Sequence, residues 1–404
     1  MSGAAVVTGL GVIAPNGEGV EEYWTACLKG RSGIGTVARF DVGRYPVTLA
    51  GEVSGFRAED HLSQKLIRQS DRMTQLALVA ADWALADLGV DADRFGEFGA
   101  GVVTASSAGG FEFGQRELEN LWRRGPQYVS TYQSFAWFYA VNTGQISIRH
   151  GLRGPGGVVV TEQSGGLDAL AQARRQIRRG TALMLCGGVD GAVCPWGWAA
   201  QLTAERMSRC ADPDRAYLPF DREASGHVAG EGGALLVLED GAAARARGAR
   251  QIYGEIAGYA ATMDPRPGSG REPSLRRAVE SAVRDAGVEP ADVDVVFADG
   301  AGVPDLDAAE AAVIEGVFGP GGVPVTVPKT MTGRLNAGAA SLDTATALLS
   351  LRDGVIPPTV NVRPAPEFHL DLVVDAPRPA PVRTALVIAR GHGGFNSALV
   401  IRTF

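Results

Sequence analysis

Cysteine is scarce in this chain. Four occur in 404 residues, Cys27, Cys186, Cys194 and Cys210, and no two share a C-x-x-C spacing. That scarcity argues against a zinc site or a disulfide framework, and the small, apolar neighbours of two of them suit reduced core thiols. Long apolar runs are also missing, and none reaches the length a bilayer requires. The N-terminus, MSGAAVVTGLGVIAPNG, has no basic segment ahead of its apolar stretch and breaks at Pro15-Asn16-Gly17. The sequence therefore predicts a cytoplasmic protein with neither export signal nor membrane span. No extended block of one charge occurs either. The formal charge of −7 is thinly spread and RRQIRR is the only dense basic run, which argues against a nucleic-acid surface. Short repeats, linkers and low-complexity tracts are lacking as well, so one packed body is expected.

Glycine, by contrast, is abundant. The 54 glycines gather at the ends of apolar runs, where they point to tight turns and close backbone approaches. Hydrophobic residues make up 45% and charged residues 21% of the chain, ordinary globular usage that excludes global disorder. Strand-like runs alternate with helical patterns: AAVVTGLGVI, Val20 to Leu28, Leu62 to Leu88, FGAGVVTAS, Phe111 to Trp122. This alternation predicts α/β architecture. The second half repeats it, with a helix from Ser274 to Ala286, the strand VDVVFADG and a helix from Asp305 to Phe318. Two halves are expected, residues 1–248 and 249–404. Between Ser208 and Gly233 the chain is polar and Gly-rich, a loop long enough to suggest function.

Two local patterns invite a chemical reading and then resist it. TGLGVIA places Gly9, Gly11 and Ala14 in a G-x-G-x-x-A frame after an opening strand, as in a dinucleotide fingerprint. The fingerprint needs a helix to start at its glycines, and Pro15-Asn16-Gly17 makes a turn there instead. VVVTEQSGGLDAL reads as a buried strand, a tight turn and an amphipathic helix, the layout that displays a nucleophile at a helix N-terminus. The displayed residue is Gln163, whose carboxamide cannot attack a carbonyl. Ser164, with His392 late in the chain, fits the residue order of an α/β-hydrolase, yet Glu162 stands where that elbow needs glycine. A serine beside glycine is otherwise a helix N-cap.

Taken together, five segments carry a resemblance. VVTEQSGGLDAL, PFDREASGHVAGEGGALLVLED, FADGAGVPDLDAAEA, VPKTMTGRLNAGAASLD and GHGGFNSALV occur in the order in which ketosynthases carry their cysteine turn, the run after it, the first histidine, the lysine and second histidine, and the closing loop. SFAWFYAVNTGQISIRHGLRGP and DPDRAYLPFD resemble the aromatic-polyketide members. The chain is similar to the chain-length factors, or ketosynthase beta subunits, of bacterial type II polyketide synthases. The resemblance implies a thiolase-like fold, two pseudo-symmetric α/β halves in a five-layered αβαβα sandwich dimerised through the central sheet. It also implies a heterodimer with a ketosynthase alpha subunit that keeps its cysteine, and an acyl carrier protein whose phosphopantetheine delivers malonyl units, with no cofactor of its own.

The departures are specific. Gln163 replaces the nucleophile, Asp299 and Arg334 replace the two histidines, Ala301 and Val303 replace the threonines that hold the pantetheine arm, and His392 replaces a phenylalanine. Lys329 and Glu310 are retained. Condensation needs a thiolate and histidine donors, so the chain is expected to serve as one subunit of an acyltransferase complex. Gln163 is expected either to fill the turn by bonding its backbone groups or to polarise a malonyl thioester for decarboxylation, and a stand-alone decarboxylase or a Ser164 hydrolase are the alternative activities. Asp299 and Arg334 are expected to pair and plug the cavity. The resemblance places Phe111, Gly114 and Leu118, which share a helix face, along a product tunnel with Trp196 nearby. Small side chains there predict an octaketide or longer product. Phe135, Trp137, Phe138 and Tyr139 are the expected interface cluster, with Phe135 reaching the partner's tunnel; an ordinary core face and a satellite aromatic cluster are the alternatives.

Overall fold

The computed structural model describes residues 3–107, 109–266 and 268–404. Among them, twelve strands join into one hydrogen-bonded sheet. The first half contributes β1 (Ala5–Ala14), β2 (Ala100–Ala105), β3 (Gly156–Val159), β4 (Leu183–Asp190) and β5 (Gly232–Asp240). The second contributes β6 (Gly254–Met263), β7 (Val295–Phe297), β8 (Pro324–Thr326), β9 (Asp371–Leu372), β10 (Thr384–Gly391) and β11 (Phe395–Arg402). The two-residue strand Gly17–Glu18 pairs with the end of β1. The spatial order is β9-β8-β7-β10-β11-β6-β1-β5-β4-β2-β3, which leaves β3 at an edge.

The pairing reveals the pseudo-symmetry. Moving outward from β1, the contacts to β5 and β4 are antiparallel and those to β2 and β3 parallel. Moving outward from β6, the contacts to β11 and β10 are antiparallel and those to β7 and β8 parallel. The two sets meet where Val6 opposes Glu255 and Val7 opposes Gly254.

Nine helices of eight residues or more cover these strands among the described residues: α1 (Val20–Leu28), α2 (Arg72–Leu88), α3 (Phe111–Arg124), α4 (Val141–His150), α5 (Gly165–Arg178), α6 (Pro195–Leu202), α7 (Leu275–Ala286), α8 (Pro304–Phe318) and α9 (Ala339–Asp353). Successive strand residues point to opposite faces. Hence Leu236 and Leu238 of β5 enter the central core with α5 and α9, while Leu235 and Val237 pack against α2. In β10, Ala385, Val387 and Ala389 face the same central core and Leu386 and Ile388 face α7. With the two halves of the sheet taken as separate layers, helix, half-sheet, helix pair, half-sheet and helix make five layers. Strands covered on both faces must be apolar throughout, which is why they read as continuous hydrophobic runs.

The middle layer shapes the sequence most strongly. Every residue of α9 from Ala339 to Leu351 is buried, and three of its four hydroxyls are satisfied locally: Thr344, Thr346 and Ser350 donate to the carbonyls four residues earlier at 2.8, 2.7 and 3.1 Å, while Ser341 Oγ has no partner. The fingerprint-like glycines have a packing role. A methyl group at Gly9 would overlap the Ala84 carbonyl oxygen and one at Gly11 the Ala80 carbonyl oxygen, so both let α2 lie directly on β1. β1 continues to Ala14 and no helix starts at those glycines. Among the described residues no helix is long and apolar enough to cross a membrane.

Candidate functional site

Strand β3 leads through a single 3₁₀ turn, Glu162–Ser164, into α5. Glu162 sits at φ 53°, a left-handed conformation rare for a residue with a long side chain. Hydrogen bonds fix the residue before it. Thr161 Oγ1 donates to Asp168 at 2.5 Å, whose other oxygen accepts from Tyr259 Oη at 2.7 Å and from Ser397 Oγ. Gly166 lets the start of α5 meet the start of α9, since a Cβ there would stand 2.5 Å from Ser341 Oγ and 2.6 Å from Ser341 N. Both central helices thus aim their N-termini into one region.

Gln163 is 3% exposed, and its Oε1 has no hydrogen-bond partner. The expected bonding of that oxygen to turn backbone is therefore not made. Ser164 is fully buried, and its hydroxyl donates to the Thr161 carbonyl at 2.6 Å. It does not line the adjoining cavity, which removes it as a hydrolytic nucleophile. Nor does its side chain cap α5.

Asp299 and Arg334 meet across the cavity floor as a bidentate pair, Nη1 to Oδ2 at 3.0 Å and Nη2 to Oδ1 at 3.1 Å. Both are buried, and further bonds hold them: the Arg334 Nη groups also donate to the Asp299 and Arg390 carbonyls, and Asp299 accepts from Arg390 N. Burial alone would raise the Asp299 carboxyl; Arg334 and then Lys329 outweigh it and hold it below the ordinary carboxylate range. Lys329 lies 2.7 Å from Asp343 and donates to the Ala298 and Asp299 carbonyls at 2.8 and 3.1 Å. Glu310 bonds the Asp299 and Gly300 amides at 2.7 and 2.9 Å, fixing the segment after β7.

The pair does not fill the space. A cavity of about 470 Å³ remains, with Gln163, His227, Asp299, Arg334, Arg390 and His392 among its walls. Ala301 and Val303 line it too, offering no hydroxyl. Desolvation, then the Arg334 charge, pushes the His227 imidazole down to about 3, so it is neutral. The closing loop is tied down, because His392 N donates to Glu162 Oε2 at 2.7 Å.

The α3 face lies elsewhere, and none of Phe111, Gly114, Leu118 and Trp196 lines that cavity. The rings of Phe111 and Trp196 stand 4.7 Å apart, and a Cβ at Gly114 would be 3.1 Å from the Trp196 ring. Trp196 therefore occupies the room that the glycine leaves, and the width of this wall depends on where that ring sits. Leu118 is partly exposed. Phe135, Trp137, Phe138 and Tyr139 are 37–45% exposed, an aromatic group that the described residues cover only in part.

Sequence reasoning passed over Glu162 as a loop anchor, His227 as a neutral wall residue and Asp71 beside α3. Only Asp71 carried a usable signal: Ser70-Asp71 immediately precedes a helical pattern, the signature of an N-cap.

Sequence models of the beta-ketoacyl synthase N-terminal and C-terminal domains match residues 4–244 and 253–363. The chain is 60% identical over 402 residues, 99% of each chain, to the actinorhodin polyketide putative beta-ketoacyl synthase 2 of Streptomyces coelicolor. It is 60% identical over 399 residues, 98% of each, to the tetracenomycin polyketide synthase ketoacyl synthase beta subunit of Streptomyces glaucescens. Its fold matches the ishigamide ketosynthase/chain length factor with a TM-score of 0.89 at 30% identity, covering 100% of both chains. A chain from a type II polyketide acyl carrier protein in complex with its ketosynthase bound to the hexaketide also matches, with a TM-score of 0.89 at 27% identity and 100% coverage of both.

Proposed function

The chain belongs to the beta-ketoacyl synthase family, and on that premise we propose that it is the non-nucleophilic subunit of a type II polyketide ketosynthase heterodimer, where it shapes the tunnel that sets product length. One observation carries this reading. The family's turn, sheet and central helices are intact, while a carboxamide and a closed ion pair occupy the positions that the family fills with a thiol and two imidazoles.

A carboxamide carries no acyl group, and Arg334 is held charged by its partner and transfers no proton at working pH. Covalent chemistry therefore falls to a ketosynthase that keeps its cysteine. The open edge of β3 and the exposed aromatics beside it provide the surface for that partner. Malonyl units arrive on an acyl carrier protein, as in the complex of a carrier protein with its ketosynthase that shares this fold. The growing poly-β-keto chain needs a water-poor enclosure, and the wall formed by Phe111, Gly114, Leu118 and Trp196 supplies part of it. An octaketide or longer product follows if Trp196 swings off Gly114 when the chain elongates. Phe135 is assigned to the partner's side of the same tunnel.

Native mass spectrometry of the chain co-expressed with a cysteine-bearing aromatic ketosynthase tests the assembly. A one-to-one heterodimer is expected; a stable homodimer that ignores the ketosynthase overturns the reading. A second reading, decarboxylation of malonyl carrier protein by this chain alone, draws on the unpartnered amide of Gln163 in the cavity wall. Ala301 and Val303 weigh against it because they offer nothing to hold a pantetheine arm. Carbon dioxide release from malonyl carrier protein with the isolated chain, lost in Gln163→Ala, decides it.

A further inference from the structure

Helix α3 starts without a cap of its own. Gly110 precedes it and supplies no side-chain acceptor for the free N–H groups of the first turn. The Phe113 N–H is instead met by Asp71 Oδ2 at 2.8 Å, while Asp71 Oδ1 accepts from Met73 N at 2.8 Å and so caps α2. One buried carboxylate holds the starts of two helices. Gly110 permits the approach, because a Cβ there would lie 2.8 Å from Asp71 Cβ.

A second tie reinforces the first. Glu112 pairs with Arg39, whose Nη1 reaches Glu231 Oε2 at 3.0 Å. Glu231 is 3% exposed and is further held by Arg72 at 2.8 Å and Val53 N at 3.0 Å. The chain of contacts runs from the core through Arg39 to the first turn of α3. Positions 112 and 113, which are pinned, lie between positions 111 and 114, which carry the wall.

We propose that Asp71, together with the Arg39–Glu112 pair, seats helix α3 and thereby sets the width of the product tunnel, so that these residues are positioning residues for chain length. The inference rests on the chain-length reading given above. None of the three touches substrate; they act through the placement of Phe111, Gly114 and Leu118. The groups facing Asp71 are Glu112 and Arg39, with Cys194, Arg72 and Glu231 around them. Burial pushes the Asp71 carboxyl up to about 6, so protonation near that pH removes one of its two acceptors.

The test uses the assembled heterodimer with malonyl carrier protein, reading product lengths and malonyl consumption separately. Asp71→Asn keeps an oxygen for Met73 N and turns an NH₂ group toward Phe113 N, so α2 stays capped and α3 is released. The ratio of longer to shorter product is expected to change about fivefold, the order of one net hydrogen bond, and by more than malonyl consumption changes. Glu112→Gln, at a half-exposed side chain, should shift the ratio less and in the same sense, and it decides the matter alone if Asp71→Asn fails to assemble. The native ratio should drift as pH falls through about 6, and that of Asp71→Asn should not. Leu118→Trp narrows the wall directly and serves as the reference. If it alters product length while neither Asp71→Asn nor Glu112→Gln does, the positioning inference is wrong and the chain-length reading stands. If none of the three alters it, both fall.

Discussion

The cavity beside Gln163 and the outer face of α3 have gone opposite ways. Around the cavity Asp299 and Arg334 form a closed pair, Lys329, Asp343 and Glu310 are buried and interlocked behind them, and the amide oxygens of Gln163 and Asn396 are left unbonded. On α3 and the segment after it, large apolar side chains stand in the open. Charges in a desolvated hole must be paired, and Asp299 with Arg334 and Lys329 with Asp343 meet that demand here. A surface that awaits a partner must leave its apolar area unspent. On the proposed function the two regions should therefore differ in what a substitution does: in the cavity it strikes stability, and on the wall it strikes product.

The sharpest way to break that contrast is Arg334→Met, which strips Asp299 of its bidentate partner in the interior and leaves it the Lys329 charge and the Arg390 amide. A loss of about 3–5 kcal/mol is expected in urea unfolding, and Asp299→Asn added to Arg334→Met should recover most of it. Gly166→Ala comes next. Its methyl group would crowd Ser341 backbone and side chain at the crossing of α5 and α9, costing about 1–3 kcal/mol by overpacking. Acidity is a milder probe. Burial raises Asp307 to about 7, above its unfolded value, so its contribution is fully present below the unfolded value near 4 and is lost as pH rises through about 7. Unfolding midpoints should therefore be higher at pH 6 than at pH 8, by on the order of 1 kcal/mol in stability. Asp299 works in the other sense: its carboxyl is held low, and its contribution is lost only as pH falls below about 4. The smallest effect belongs to the wall. Gly114→Ala gains helix propensity and displaces only the Trp196 ring, so thermal unfolding should move by less than about 1 kcal/mol while product length shifts. A large stability loss in Gly114→Ala, or an unchanged melting curve in Arg334→Met, would erase the distinction between the regions.

Much of the framework was legible in the sequence because it depends on local pattern. Val20–Leu28 announces α1 to the residue, and the apolar spacing of Leu167, Leu170, Ala173 and Ile177 is the buried stripe of α5. The candidate site was legible to the extent that Gln163, Asp299 and Arg334, singled out from three separate segments, line one cavity. What stayed hidden rests on contacts far apart in the chain. No window around Gly114 shows that Trp196 lies over it, and no spacing rule reveals that Asp71 serves a helix 42 residues away. Glu162 broke the hydrolase pattern by being bulky where glycine was needed, and the structure accepts it at positive φ because its carboxylate ties down the His392 amide.

The edge strand β3 carries a further consequence, for supply. Its outer N–H and C=O groups and the aromatics near it remain unpaired until a partner arrives, and a bare strand edge templates pairing with whatever other edge it meets. A copy made in excess of its ketosynthase is thus a nucleus for aggregation. Yield of the working assembly is therefore expected to follow matched synthesis of the two chains, and to fall when the dose of this one alone is raised.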